Sequence, residues 1–254
     1  MTSFMFDVFL IHYTKNIERL ADMRAVFKEL CLNYKVIEKW DAGTFEPDLG
    51  TPEHWVERVY AIKNILLANA DQQPNKNYVA SLNRYMATPA STIPWLQPRA
   101  LKEGEVSVLL KHLSALLNIA YGKKPYGIVF EDDVRLKSDS KKMFDNIIGE
   151  FFEKKGNYLD IAGGAGLFAN ESIEDCLIVL TSPARTRTCA CYCISMQLAR
   201  TIIKDYFPLS LPIDWQIQYS LTKNRVDRCF WAKNPPLLHG SEIGLVKSWR
   251  TYNV

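Results

Sequence analysis

The sequence predicts an α/β fold in which helices flank a sheet, and three observations carry that expectation. The chain opens as strand, helix, strand; amphipathic helices then alternate with short apolar runs; and three consecutive acids stand directly after one of those runs. Open α/β sheets bind ligands beyond the carboxyl ends of their strands. The acids are therefore the first place to look for function.

Phe6 to Tyr13 is an aromatic-rich apolar run bounded by Thr14, Lys15 and Asn16, which predicts a buried first strand. Ile17, Leu20, Met23, Phe27 and Leu30 follow at helical spacing, with Asn16 as the N-cap. Tyr34 to Glu38 reads as a second strand, ended by the Asp41-Ala42-Gly43 turn. A helix from about Pro52 to Asn69 rests on Trp55, Val59, Ile62 and Leu66. Gln72 to Pro98, with four prolines and Trp95, reads as irregular; a long loop inside a compact domain is often functional.

Gly104 to Ala120 carries Val106, Leu109, Leu110, Leu113, Leu116 and Leu117 on one side and predicts a strong helix. Tyr126 to Phe130 is a short buried strand that runs into Glu131-Asp132-Asp133. Ser140 to Lys155 is amphipathic through Met143, Phe144, Ile147, Ile148 and Phe151. Strands are expected at Tyr158 to Ala162, Leu177 to Leu180 and Cys189 to Ser195, a helix at Gln197 to Tyr206, and another opening near Asp214. No repeat, heptad or low-complexity tract appears, so residues 1–254 read as a single domain.

With 48% apolar and 23% charged residues in 254, the composition is that of an ordinary globular protein. The net charge of +3, without a dense Lys/Arg block among aromatics, argues against a nucleic-acid partner. A weakly basic surface suits an anionic small ligand. Met1 to Leu10 carries Asp7 and lacks the basic start of a signal peptide, and we read it as the beginning of the fold. The longest apolar runs fall short of the roughly 20 residues of a membrane span. The expectation is a cytoplasmic protein with no transmembrane segment.

Of the six cysteines, Cys31, Cys176, Cys189, Cys191, Cys193 and Cys229, three alternate. Alternation in a strand would put Cys189, Cys191 and Cys193 on one face as buried reduced thiols. Their spacing is not that of a zinc site.

Adjacent carboxylates repel and raise one another's pKa values. A hard divalent cation such as Mg²⁺ or Mn²⁺ relieves that repulsion, since it prefers carboxylate oxygens. The plainer reading is a solvated turn. Receiver domains also carry an acidic pair after a strand, but they need a phosphoacceptor Asp that ends a later strand. Here Asp175 precedes the run Leu177 to Leu180.

With these segments in view, the chain resembles glycosyltransferase family 25, the group of lipooligosaccharide and collagen galactosyltransferases. Phe9-Leu10-Ile11-His12 through Arg19 resembles the family's first strand and the segment after it. Trp40-Asp41-Ala42-Gly43 is similar to the end of its second strand. Gly104-Glu105-Val106 through His112 resembles its Gly-Glu-Ile-Gly-Cys … Ser-His helix, with Ser107 and Val108 for Gly-Cys and Lys111 for the Ser. Val129-Phe130-Glu131-Asp132-Asp133-Val134 is similar to its Leu-Glu-Asp-Asp core. Ala190 to Ala199, Pro212-Ile213-Asp214-Trp215, and Pro235-Pro236-Leu237 with His239 and Ser241 resemble its later motifs in order. The family's glycines in the Ala190 segment are replaced by Cys and Leu.

The resemblance implies a GT-A fold: a Rossmann-like mixed sheet flanked by helices, with a donor-binding half over about 1–135 and an acceptor-binding half over about 136–254. It implies a metal-dependent inverting glycosyltransferase that moves a sugar from a UDP-sugar to a hydroxyl of an oligosaccharide or glycoprotein. Asp133 would ligate Mn²⁺ or Mg²⁺, with His239 as a further ligand. Glu131 and Asp132 would orient the donor's ribose and sugar, or hold metal-bound waters. His12, Lys15, Arg19 and Asp41 would meet the nucleotide, and Glu105 and His112, two turns apart on one helix face, would line the donor pocket. Asp214 would be the general base, with Trp215 packing on an acceptor sugar.

Each residue also has a plainer reading: Asp214 as a helix N-cap, Lys15 and Arg19 as a solvated helix face, His112 as a packed helix histidine, His239 as a surface one. Gly163 to Gly166 reads as a flexible loop near the substrate. A non-catalytic sugar-nucleotide-binding protein that keeps the fold is the alternative function.

Overall fold

The computed structural model describes residues 5–41, 103–164, 166–167, 169, 176–206 and 211–246. The expected helix over 52–69 and the irregular stretch over 72–98 lie outside the described residues, as do Ala42 and Gly43. Among the described residues the protein is α/β. Its seven-stranded mixed sheet, in the order β2-β1-β3-β7-β5-β8-β6, is flanked by helices and is compatible with a Rossmann-like fold.

Strand β1 (Phe6–Ile11) pairs in parallel with β2 (Lys35–Ile37) and β3 (Tyr126–Glu131). Strand β5 (Tyr158–Asp160) runs parallel to β8 (Cys229–Ala232). Strand β7 (Cys191–Ser195) lies antiparallel between β3 and β5, and β6 (Ile178–Leu180) is antiparallel to β8. The carboxyl ends of β1, β3, β5 and β8 therefore share one edge with the start of β7. A second, two-stranded sheet pairs β4 (Val134–Leu136) with β9 (Leu237–His239).

Strand alternation divides the core into two layers. Phe6, Val8, Leu10, Ile128 and Phe130 face one side, where Met23 and Phe27 of α1 (Ile17–Leu30) and Phe144 and Ile148 of α3 (Ser140–Glu153) cover them. Phe9, Ile11 and Val129 face the other, beneath α2 (Glu103–Ala120), α4 (Met196–Lys204) and α5 (Ile213–Lys223). Asn16 caps α1 as expected, its side chain accepting from the Arg19 amide at 3.4 Å. Ser195 caps α4 by accepting from the Leu198 amide at 3.1 Å. No described helix is long and apolar enough to cross a membrane.

Two expectations are corrected. The three alternating cysteines do not share a face: Cys191 and Cys193 join the α1 layer, whereas Cys189 joins the α2 layer. Cys189 precedes the strand and takes a left-handed φ of 58°, which breaks the alternation. Asp214 is not the N-cap of its helix. Pro212 holds that place and Asp214 sits in the first turn, where a negative charge complements the helix dipole.

Candidate metal-binding site

The acid triplet divides as the sheet divides. Glu131 ends β3 in register with Ile11 and so faces α2, while Asp132, in the turn that follows, bonds to Arg19 of α1.

Asp132 is 2% exposed and is the centre of a closed network. One carboxylate oxygen accepts from Arg19 Nη1 at 2.8 Å. The other meets His12 Nδ1 at 2.9 Å and accepts from the Tyr13 amide at 3.3 Å. Beside it the buried Lys111 donates its Nζ to the His12 carbonyl, to the Glu38 carbonyl at 3.2 Å and to the Asp41 carboxylate. Asp41 also takes the Thr14 amide at 3.1 Å and the Thr14 hydroxyl. Burial works to raise the Asp41 carboxyl, but Lys111 and Thr14 outweigh it and hold the group below its ordinary value. His12, Arg19, Asp41, Lys111 and Asp132 thus tie the end of β1 to α1, α2 and β3.

Asp133 and Glu131 belong to an open cluster with His239. One ligand atom from each of Glu131, Asp133 and His239 lies within 4.8 Å of the others. His239 arrives from far along the chain because β9 pairs with β4, which sets Val134 opposite His239. Gly240 makes the approach tight: its amide donates to the Asp133 carbonyl at 2.9 Å, and a Cβ there would stand 2.4 Å from that oxygen.

Within the cluster His239 Nε2 is 3.2 Å from Asp133 Oδ2 and 3.0 Å from Ser241 Oγ, and Nδ1 is 3.6 Å from Glu242 Oε2. Burial alone would lower the His239 imidazole; Asp133, Glu131 and Glu242 reverse that and push it up to about 9. Burial raises Asp133, but hydrogen bonds from His239 and Ser241 and the charge of Arg19 bring it below its ordinary value. Asp133 Oδ1 is buried with no hydrogen-bond partner among the described residues. A buried carboxylate oxygen without a partner is costly, and two carboxylates with an imidazole are a donor set that suits Mn²⁺ or Mg²⁺. The residues fit such an ion.

Of the remaining expected residues, one touches this cluster directly. His112 is wholly buried on α2 and approaches Glu131 Oε1 at 3.1 Å through Nε2. Glu105 is half-buried two turns earlier on the same helix, and Lys15 is exposed after β1. Asp214 and Trp215 open α5, with Trp215 exposed. Burial and then the charges of Asp214, Asp160 and Glu131 raise the Cys189 thiol well above its ordinary value. All three acids therefore gather about Cys189, at the same edge of the sheet.

Sequence reasoning missed the support of the glycine loop. Asp160, at the end of β5, is buried against Arg187, with Nε donating at 2.9 Å, and accepts from the Gly163 amide at 3.0 Å. Thr188 donates to the Gly163 carbonyl at 2.7 Å. Gly163, the first residue of the loop, is thus held at both its amide and its carbonyl. Gly164 has a φ of 117°, and a Cβ on it would lie 2.3 Å from Glu242 Oε2, so this position requires glycine. Asp160 ends an apolar run and could have been singled out on that ground, but nothing in the sequence marks Arg187 as its partner.

No protein-family model matches the chain, and no curated protein matches it. The class of protein is defined by the fold and the site alone: an α/β protein with a carboxylate–imidazole cluster at the carboxyl edge of its sheet.

Proposed function

We propose that the chain is a metal-dependent inverting glycosyltransferase of the GT-A type, which moves a sugar from a UDP-sugar to a glycan or glycoprotein hydroxyl. The observation that carries this reading is the convergence of Glu131, Asp133 and His239 with one buried Asp133 oxygen that has no partner among the described residues. Glu131, Asp133 and His239 would hold Mn²⁺ or Mg²⁺. When bound, the ion supplies Lewis-acid stabilisation of the departing diphosphate, worth several kcal/mol.

The other roles fall to the chain's own residues. Asp132 holds His12 and Arg19 in place, and so shapes the end of β1 from within. Lys15, exposed just after it, is free to meet phosphate. Asp214 takes the proton of the acceptor hydroxyl as that oxygen attacks, a step to which a placed base contributes roughly 10²- to 10⁴-fold. Trp215, 40% exposed beside it, offers a ring for a sugar face. In this reading the donor lies over β1 and β3, the acceptor toward α5, and the protein works in the cytoplasm.

The test is UDP release from UDP-galactose, UDP-glucose or UDP-xylose with Mn²⁺, with and without EDTA, beside thermal shifts with UDP. Release that needs metal, and a UDP-induced rise in Tm only with metal, are expected. The absence of both release and a metal-dependent shift would overturn the reading. A metal-dependent shift without release from any donor would leave a non-catalytic nucleotide-sugar binder.

A further inference from the structure

The cluster has a support of its own behind Glu131. Strand alternation brings Val129 and Glu131 to the α2 face of the sheet. His112 descends from α2 onto Glu131, and Tyr192 of β7, two strand residues from the shared edge, stands behind His112. His112 Nε2 is 3.1 Å from Glu131 Oε1, and Nδ1 is 3.1 Å from the Tyr192 hydroxyl. The two rings stack at 5.8 Å with 15° between their planes. Both His112 and Tyr192 are fully buried, so neither can touch a ligand.

For a neutral imidazole beside an ionised carboxylate, the hydrogen-bond chemistry allows one arrangement. An ionised carboxylate only accepts, so the proton of a neutral imidazole sits on Nε2. Nδ1 then accepts, and the Tyr192 hydroxyl donates to it. Burial pushes the phenol well above its ordinary value, so it keeps that proton. Tyr192 is itself fixed: its strand lies between β3 and β5, and its ring stacks on Tyr158 at 5.7 Å.

We propose that Tyr192 and His112 are a positioning couple that orients the Glu131 carboxylate toward a divalent cation, Tyr192 by setting the His112 tautomer and His112 by holding one Glu131 oxygen. This rests on the metal-site reading above. It gives His112 a different role from the donor contact that the family resemblance implies. A carboxylate ligand held by a fixed donor enters coordination with its rotation already restricted, and partners of this kind typically change metal affinity 10- to 100-fold.

The experiment measures Mn²⁺ affinity by titration calorimetry and the Tm in EDTA for the intact protein and four variants. Tyr192→Phe removes one hydroxyl and frees His112 to turn its lone pair on Glu131. We expect Mn²⁺ binding about 10-fold weaker or more. Tyr158→Phe removes an equally buried hydroxyl whose described partner is the Cys189 thiol at 3.7 Å, and it should bind Mn²⁺ as the intact protein does. His112→Leu fills the space without a donor and should weaken binding at least as much as Tyr192→Phe. His112→Gln restores an N–H near the Nε2 position and should recover most of the loss, which a purely structural role would not produce. If Tyr192→Phe does not fold, the contrast between the two His112 variants decides the matter. Equal Mn²⁺ affinity across Tyr192→Phe, His112→Leu and the intact protein would overturn this inference and leave the metal site standing. Absence of Mn²⁺ binding to the intact protein would overturn the metal reading, and this inference with it.

Discussion

Asp132 and Asp133 are neighbours in the chain with the same side chain and nearly the same burial, 2% and 3% exposed, yet their surroundings are opposite. Asp132 has both oxygens engaged, by Arg19, His12 and the Tyr13 amide. Asp133 has one oxygen opposite His239 and the other with no partner among the described residues. The first is a buried charge neutralised by the protein; the second is one that the protein leaves in part unsatisfied. In the proposed reading, stability and function are divided between adjacent residues of the turn that joins β3 to β4.

The largest effect should come from breaking the closed side. Asp132→Asn keeps the shape but leaves Arg19 buried without its carboxylate. Removing one partner of a buried pair costs about 3–5 kcal/mol, which for a chain of this size is a fall in Tm of roughly 6–20 °C. Thermal unfolding by circular dichroism, with EDTA present, reads it directly. A change of a degree or two would show that the Arg19–Asp132 pair is not structural.

Much of this division was legible. The apolar periodicities located β1, α1, α2, β3 and α3, with ends displaced by a residue or two. The triplet stands where it was expected, at the end of β3, with Asp132 and Asp133 in the turn that leads into β4. What was not legible is long-range. Strands β4 and β9 are three residues each, too short for any period to show, and only their pairing brings His239 to Asp133. Strand β8, four apolar residues between Arg228 and Lys233, also went unread. Tyr192 reads in sequence as one more core residue of an apolar strand, because the partner that gives it a role sits on α2. The left-handed turn at Cys189 cannot be told from the alternation around it.

On the open side the chemistry should respond next. Asp214→Asn should fold, bind UDP with metal as before and lose kcat by about 100-fold or more, near 2.7 kcal/mol of barrier. Steady-state kinetics with the acceptor varied separates the outcomes: a rise in KM alone would assign Asp214 to acceptor positioning. Full activity would remove it as the base.

A smaller effect, about tenfold per pH unit, should appear in metal uptake. His239, pushed up to about 9, is protonated at neutral pH, and an ion that binds it must displace that proton. Without metal, the raised pKa means that the Asp133–His239 pair stabilises the fold fully below about pH 6.5 and loses this as pH rises through about 9. Mn²⁺ affinity should therefore rise between those values while the Tm in EDTA falls. Calorimetry and melting curves at pH 7 and pH 8 test both signs. Affinity that is flat with pH would take His239 out of the ligand set.

The smallest effect should be the stability cost of Asp133→Asn in EDTA, and it completes the comparison with Asp132→Asn. Three features of the site hold the cost down. The Oδ1 atom loses no hydrogen bond to any described residue, because it has none. His239, 18% exposed at its side chain, can shed its proton when the carboxylate is gone, whereas Arg19 cannot. Removing one negative charge also relieves Glu131 and Glu242, both close enough to His239 to act on it. Against these stands the lost attraction between Asp133 and protonated His239. The balance should be a loss of about 1 kcal/mol, or roughly 2–4 °C in Tm, together with complete loss of stabilisation by Mn²⁺. A fall in EDTA as large as that of Asp132→Asn would make Asp133 a structural partner of His239, and the difference between the two aspartates would then be one of geometry without a difference in role.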